Sequence, residues 1–427
     1  MRYFKNTSWL FFERIIKMFI GFFIVILLTR YLGPENYGLL SYSQSFVSIF
    51  IAFATLGIDV IVVRELTKNQ ANSTKILGTA FFLKIFASLG TIGIIFSINL
   101  FMEDNEAVLL TNIIAFSLLF QSINIIDTFF QANIISKYSA LANTIAFIFS
   151  SALKFTLIFN EADLVYFAYA LVLDSFFIAI GYIYIYIQQK QSLLYWRYDM
   201  PTAIYFLKTG WPLMFVALAA FIYTRTDQVM LKHLLNNEAV GHYAAAIKVS
   251  ELFYFIPLLI TQSLFPKIVQ MKEKSEKEYF ILLEKLYRLL VWSAIPIAIG
   301  LFFWSDSIVL LLYGEQYIQA SSVLCILAFA IILHAIGTIT TKVLYVEHFE
   351  RKYLYRSILG VFVNIGLNFY FIPLYGAQGA AISTLITLFT IYYIYDIFDK
   401  DLHRFYYLKI AGFIPKLSSK EVNDKSY

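Results

Sequence analysis

Among the ionisable side chains inside the long apolar runs of this chain, eleven are candidates for chemistry: the cations Arg14, Lys17, Lys84, Lys154, Arg225 and Lys248, and the acids Asp59, Asp127, Asp174, Asp227 and Glu251. A charge at the centre of a membrane-spanning helix costs about 2.5–3.5 kcal/mol on insertion scales, so each must face protein or water rather than lipid. Arg14, Lys17, Lys84, Asp59 and Asp127 read as a layer toward the cytoplasm, and Lys154, Asp174, Arg225, Asp227, Lys248 and Glu251 as an outer layer, one at each end of a central cavity. Cations so placed can hold an anion by charge-assisted hydrogen bonds.

Blander readings stand beside these. Arg14 and Lys17 share a helix face with Gly21, yet Arg14 could snorkel to the interface beside Glu13. Lys84 has no acidic neighbour on its own helix and is expected to face the cavity. Lys248 and Glu251, three residues apart, could neutralise each other, while Lys154 with Asp174, or Asp227 with Lys248, would pair across neighbouring helices. Arg225 and Asp227, two apart, point in different directions and need partners elsewhere.

The elements that carry these residues are apolar stretches near 9–32, 37–63, 76–101, 108–131, 139–159, 164–187, 204–230, 240–265, 285–304, 321–345, 354–373 and 377–397. A hydrocarbon core about 30 Å thick needs roughly 20 such residues in a helix. The expected class is therefore an all-α integral membrane protein with about 12 transmembrane helices. Arg64, Lys68, Lys137, Lys190, Arg197, Lys267, Lys272, Arg351 and Lys352 fall in alternate loops, whereas 102–107, 160–163, 305–320 and 373–378 hold no Lys or Arg. By the positive-inside rule both termini are cytoplasmic, with Lys232 and Arg30 as the main exceptions. The net charge of +5 is scattered over short juxtamembrane loops, where anionic headgroups account for it without nucleic acid.

Other chemistry is excluded by type and spacing. The single Cys325 rules out an intrachain disulfide, no phosphate loop of the G-x-x-x-x-G-K-[ST] kind occurs, and five dispersed histidines suggest no metal site or cofactor. No small-residue cleavage motif follows the first apolar stretch, which is read as a retained helix. The longest cytoplasmic connections, 188–201 and 267–284, are too short for a catalytic domain, and the charged second one is expected to extend the eighth helix or lie on the membrane surface. The first is taken as a linker, giving an N-terminal lobe 1–187, a linker 188–203, a C-terminal lobe 204–397 and a cytoplasmic tail 398–427. Short echoes between the halves, such as Thr7-Ser8-Trp9 with Thr209-Gly210-Trp211, suit parallel repeats related by an axis along the membrane normal.

Several segments resemble the Wzx-type polysaccharide flippases. Leu28-Thr29-Arg30-Tyr31-Leu32-Gly33-Pro34-Glu35-Asn36-Tyr37-Gly38 and Leu56-Gly57-Ile58-Asp59 are similar to their opening, and Asp227-Gln228-Val229-Met230-Leu231 to their seventh helix. Pro373-Leu374-Tyr375-Gly376-Ala377-Gln378-Gly379 resembles the turn before their last helix. The likeness implies the fold of the multidrug/oligosaccharidyl-lipid/polysaccharide exporter superfamily, MATE-like, with two six-helix bundles around a partly cationic cavity. It further implies a non-enzymatic flippase of the bacterial inner membrane that moves undecaprenyl-diphosphate-linked repeat units for O-antigen or other surface polysaccharide. Partners so implied are the lipid-linked oligosaccharide, membrane lipids, a proton or sodium ion at one of the five acids, and a polysaccharide polymerase with its chain-length regulator. A multidrug extruder of the same superfamily, or a membrane-embedded glycan polymerase or ligase, are the competing readings.

Overall fold

A computed structural model describes residues 2–414, with side chains from Lys17 onward; Arg14 and the segment 415–427 therefore lie outside the described side chains. The chain forms two compact units, Met1–Val229 and Met230–Tyr427. Among the described residues, eleven helical stretches are long and apolar enough to cross a membrane, and the first, Lys17–Lys68, contains two crossings.

Unit 1 begins with α1 (Arg2–Thr55), interrupted where Gly33 takes φ 71° and ψ 171° ahead of Pro34. Proline lacks a backbone N–H and fits the first turn of a helix, so the second crossing starts there. That crossing is not continuous to residue 63 as expected. Leu56 and Gly57 both have positive φ, and a short α2 (Asp59–Lys68) resumes after the break. α3 (Ser73–Asn99) crosses next, and a broken crossing follows in three pieces, α4 (Asn105–Ala115), α5 (Ser117–Gln121) and α6 (Ile125–Ala132). α7 (Lys137–Phe159), α8 (Leu164–Gln188) and α9 (Met200–Leu234) complete the series.

The connection 188–203 is bound to unit 1. Trp196 Nε1 donates to the Tyr186 hydroxyl at 3.2 Å, Arg197 N to the Thr74 carbonyl at 3.3 Å, and Asp199 N to Thr79 Oγ1 at 3.0 Å. A Cβ on Gly78 would meet Arg197 N at 2.5 Å, so only glycine lets the two backbones lie this close. The boundary between the compact units falls at 229/230, inside α9.

Unit 2 holds α10 (Asn237–Lys274), α11 (Glu276–Tyr313), α12 (Gln319–Val346) and α13 (Glu350–Tyr375). The charged segment after residue 267 extends α10, and Ser275 both ends it and caps α11 by accepting from Glu278 N at 3.4 Å. α12 is the most enclosed crossing of the unit, with two thirds of its apolar window buried. α14 (Ala377–Phe389) passes through a π-turn at Thr390–Ile394 into α15 (Tyr395–Phe398), and α16 (His403–Gly412) packs back on α11 at Tyr287. Phe86, Phe149, Phe303 and Phe362 are exposed, which in water would be costly and in lipid is not.

Candidate functional site

The break at 56–58 creates the most distinctive intramembrane arrangement of unit 1. A Cβ at Gly57 would stand 2.4 Å from Met214 N, and one at Gly210 would stand 2.7 Å from Ile58 Cγ2, so the break and α9 touch backbone to backbone. Asp59 then falls in the first turn of α2, where the positive end of the helix favours a carboxylate. Lys84 of α3 is 2% exposed and donates from Nζ to Asp59 Oδ1 at 2.6 Å. The expectation of a solitary Lys84 is thereby corrected: its partner comes from the adjoining helix rather than its own. Asp59 is 46% exposed, so the carboxylate, not the ammonium, is the accessible member. Asp127 on α6 accepts from Gln131 Nε2 at 2.8 Å, one turn along.

Lys154 of α7 and Asp174 of α8 form the pair that their placement suggested, Nζ to Oδ2 at 2.5 Å, and Ser150 donates to the other carboxylate oxygen. Lys248 is held by Glu251 on its own helix at 2.8 Å rather than by Asp227. Lys17 and Arg225 are half-buried, and Asp227 is buried beside Gln228, which accepts from Ser45 Oγ at 2.8 Å. The structure thus gives three of the candidate cations, Lys84, Lys154 and Lys248, a carboxylate each; the pairs of Lys154 and Lys248 are among those the sequence offered, and that of Lys84 is not.

Comparison with known proteins assigns this arrangement a context. The family described as polysaccharide biosynthesis protein matches residues 3–272. The chain belongs to that family. The lipid II flippase MurJ family also matches, over residues 242–419. Among individual relatives, a Shigella dysenteriae protein named as an O-antigen transporter is 23% identical over 388 residues, 89% of this chain and 96% of its own. A Haloferax volcanii protein named as a low-salt glycan biosynthesis flippase, Agl15, is 24% identical over 169 residues; that match spans 39% of this chain and 36% of Agl15. The solved lipid II flippase MurJ in an inward closed conformation superposes with TM-score 0.71 at 18% identity, covering 96% of this chain and 91% of that one. An inward-facing MATE family transporter of the MOP superfamily gives 0.69 at 14% identity, covering 94% and 96%. The expected all-α, MATE-like membrane fold is the observed one.

This member of the polysaccharide biosynthesis family also carries a buried charge cluster that sequence reasoning missed. Asp396 is fully buried, Arg356 donates to its Oδ1, and Lys409 of α16 donates to Oδ2 at 2.5 Å and to the Tyr392 carbonyl at 2.8 Å. Burial pushes the Lys409 ammonium down to about 8; Asp396 opposes that shift and Arg356 reinforces it. By sequence Lys409 falls within 398–427, the segment taken as a cytoplasmic tail, and contact with Asp396 is what distinguishes it. A second missed feature is the close, tilted contact of Tyr254 with His334, ring centroids 4.0 Å apart and planes at 33°, one turn beyond Glu251. What the Lys84 and Lys154 pairs can do chemically follows from their composition. A carboxylate that takes up a proton or a metal cation releases its ammonium, and the ammonium can then take an anionic oxygen.

Proposed function

We propose that the protein flips undecaprenyl-diphosphate-linked oligosaccharide repeat units from the cytoplasmic to the outer leaflet of the bacterial inner membrane, for O-antigen or another surface polysaccharide. Membership of the polysaccharide biosynthesis family and the match to the lipid II flippase family support a flippase of lipid-linked precursors. The single observation that carries the finer reading is the buried Lys84 ammonium held by a half-exposed carboxylate at a helix break. Dragging a diphosphate and sugars through hydrocarbon would strip every polar group of its water partners. Lys and Arg side chains replace that hydration while the tail stays in lipid, and alternating access exposes the site to each side in turn.

In this scheme Lys17, Lys84, Lys154, Arg225 and Lys248, with Arg14, receive the diphosphate, and Asp59, Asp127, Asp174, Asp227 or Glu251 exchanges a proton or sodium ion. Protonation of Asp59 frees Lys84 for the substrate, and its deprotonation restores the pair. An inside-negative potential favours outward movement of the anion by about 2.3 kcal/mol per charge per 100 mV. Both termini lie in the cytoplasm by the distribution of Lys and Arg. The test is a deletion strain in which lipid-linked units are located by leaflet. Accumulation in the inner leaflet is expected; single units accumulating in the outer leaflet would instead mean that polymerisation has failed.

A further inference from the structure

Where α10, α12 and α14 begin, unit 2 opens into a pocket of about 390 Å³, within the roughly 300–1,000 Å³ range of ligand sites. Glu238 and His242 come from the first two turns of α10, Gln319 and Ser322 from the first turn of α12, and Tyr375 and Gln378 from either side of Gly376. His242 is only 2% exposed, and neither ring nitrogen makes a hydrogen bond of good geometry; its polar contact is the Glu238 carboxylate. Its Nε2 stands 3.5 Å from Glu238 Oε1, longer than the 2.7–3.2 Å of a good hydrogen bond. The ring is held in place edge-on against Tyr317, centroids 5.7 Å apart. Folded proteins pair nearly all such buried groups, so an imidazole left open on a pocket wall points to a ligand that completes it.

We propose that this pocket binds a saccharide ring. The lining mixes donors and acceptors. The Glu238 carboxylate accepts, a neutral imidazole offers one donor and one acceptor, and the side-chain amides of Gln319 and Gln378 offer both. Gln378 is already oriented, since its Nε2 donates to Ser322 Oγ at 2.8 Å. Sugar hydroxyls donate and accept alike and satisfy such a wall, whereas an anion would meet the Glu238 carboxylate. The Tyr375 side chain is 54% exposed and presents an aromatic surface on which the apolar face of a pyranose can stack. The inference deepens the flippase reading by giving the glycan part of the substrate its own contact, apart from the intramembrane ion pairs.

The experiment uses the full-length protein in lipid nanodiscs and saturation-transfer NMR. The probes are a mixture of the methyl glycosides of glucose, galactose, N-acetylglucosamine, rhamnose and glucuronic acid, with inorganic phosphate as competitor. Transfer to at least one glycoside is expected, lost in His242→Phe and in Gln378→Ala and unaffected by phosphate. Gln378 is exposed, so its variant keeps the test valid even if His242→Phe does not fold. No glycoside signal, or a signal that survives Gln378→Ala, overturns the proposal; displacement by phosphate overturns it in favour of an oxyanion site. The flippase reading fails separately, through the leaflet in which lipid-linked units accumulate, so the two failures are distinguishable.

Discussion

Asp59→Asn removes the carboxylate from the Lys84 ammonium and leaves the more deeply buried charge behind, since Lys84 is 2% exposed and Asp59 46%. Breaking a buried pair by deleting one partner costs about 3–5 kcal/mol. The half-exposed carboxylate is partly screened already, which places this substitution near the low end, about 3 kcal/mol, or roughly a hundredfold in the folding equilibrium. Asp59→Asn combined with Lys84→Met removes both charges at similar volume and is expected to recover most of that loss. Thermal unfolding of the detergent-solubilised protein measures the cycle, and surface glycan in a strain lacking the native copy measures transport. If Lys84 serves only to neutralise Asp59, the double variant restores both stability and glycan. If Lys84 receives the substrate anion, stability returns and glycan does not. Unchanged stability in Asp59→Asn would refute the energetic reasoning, and normal glycan in the double variant would remove Lys84 from the transport scheme.

Four more outcomes are expected from other contacts. Lys154→Met should be milder than Asp174→Asn, because Ser150 still donates to the remaining carboxylate, whereas Asp174→Asn strands an ammonium that is 16% exposed; equal unfolding temperatures would count against this. Unfolded Lys409 keeps its proton to about pH 10.4, while the folded residue releases it near 8, so between these values the unfolded state binds more protons and stability rises with pH. Lys409→Met should flatten that rise in unfolding scans from pH 7.5 to 10, and Asp396→Asn, which leaves Arg356 and Lys409 together without a carboxylate, should cost about 3–5 kcal/mol. Gly78→Val drives a side chain into the Arg197 backbone, a clash worth about 1–3 kcal/mol; faster limited proteolysis within 189–199 is the expected readout, and an unchanged cleavage rate would contradict it.

The crossings were legible because each needs about 20 apolar residues, and no other arrangement of this composition satisfies the backbone in lipid. Lys248 with Glu251 was legible from helical spacing, and Lys154 with Asp174 from charge balance between successive helices. The partner of Lys84 was not, since Asp59 reaches it only because the chain breaks at 56–58, and nothing in Leu56 announces a positive φ. α16 escaped notice for a similar reason. Its ten residues are too few to cross a bilayer and include Arg404 and Lys409, so it reads as tail, and a buried carboxylate at Asp396, thirteen positions before Lys409, holds it.

The seam between Gly57 and α9 ties two motions into one. With Met214 N poised 2.4 Å from where a methyl group would sit on residue 57, neither strand of backbone can slip past the other without lifting away. A displacement of α9 at Met214 would therefore be felt at the start of α2, where Asp59 stands. Lys84, which donates to Asp59 at 2.6 Å, is thereby anchored to the same seam, so the packing of one helix sets where a buried charge finds its partner.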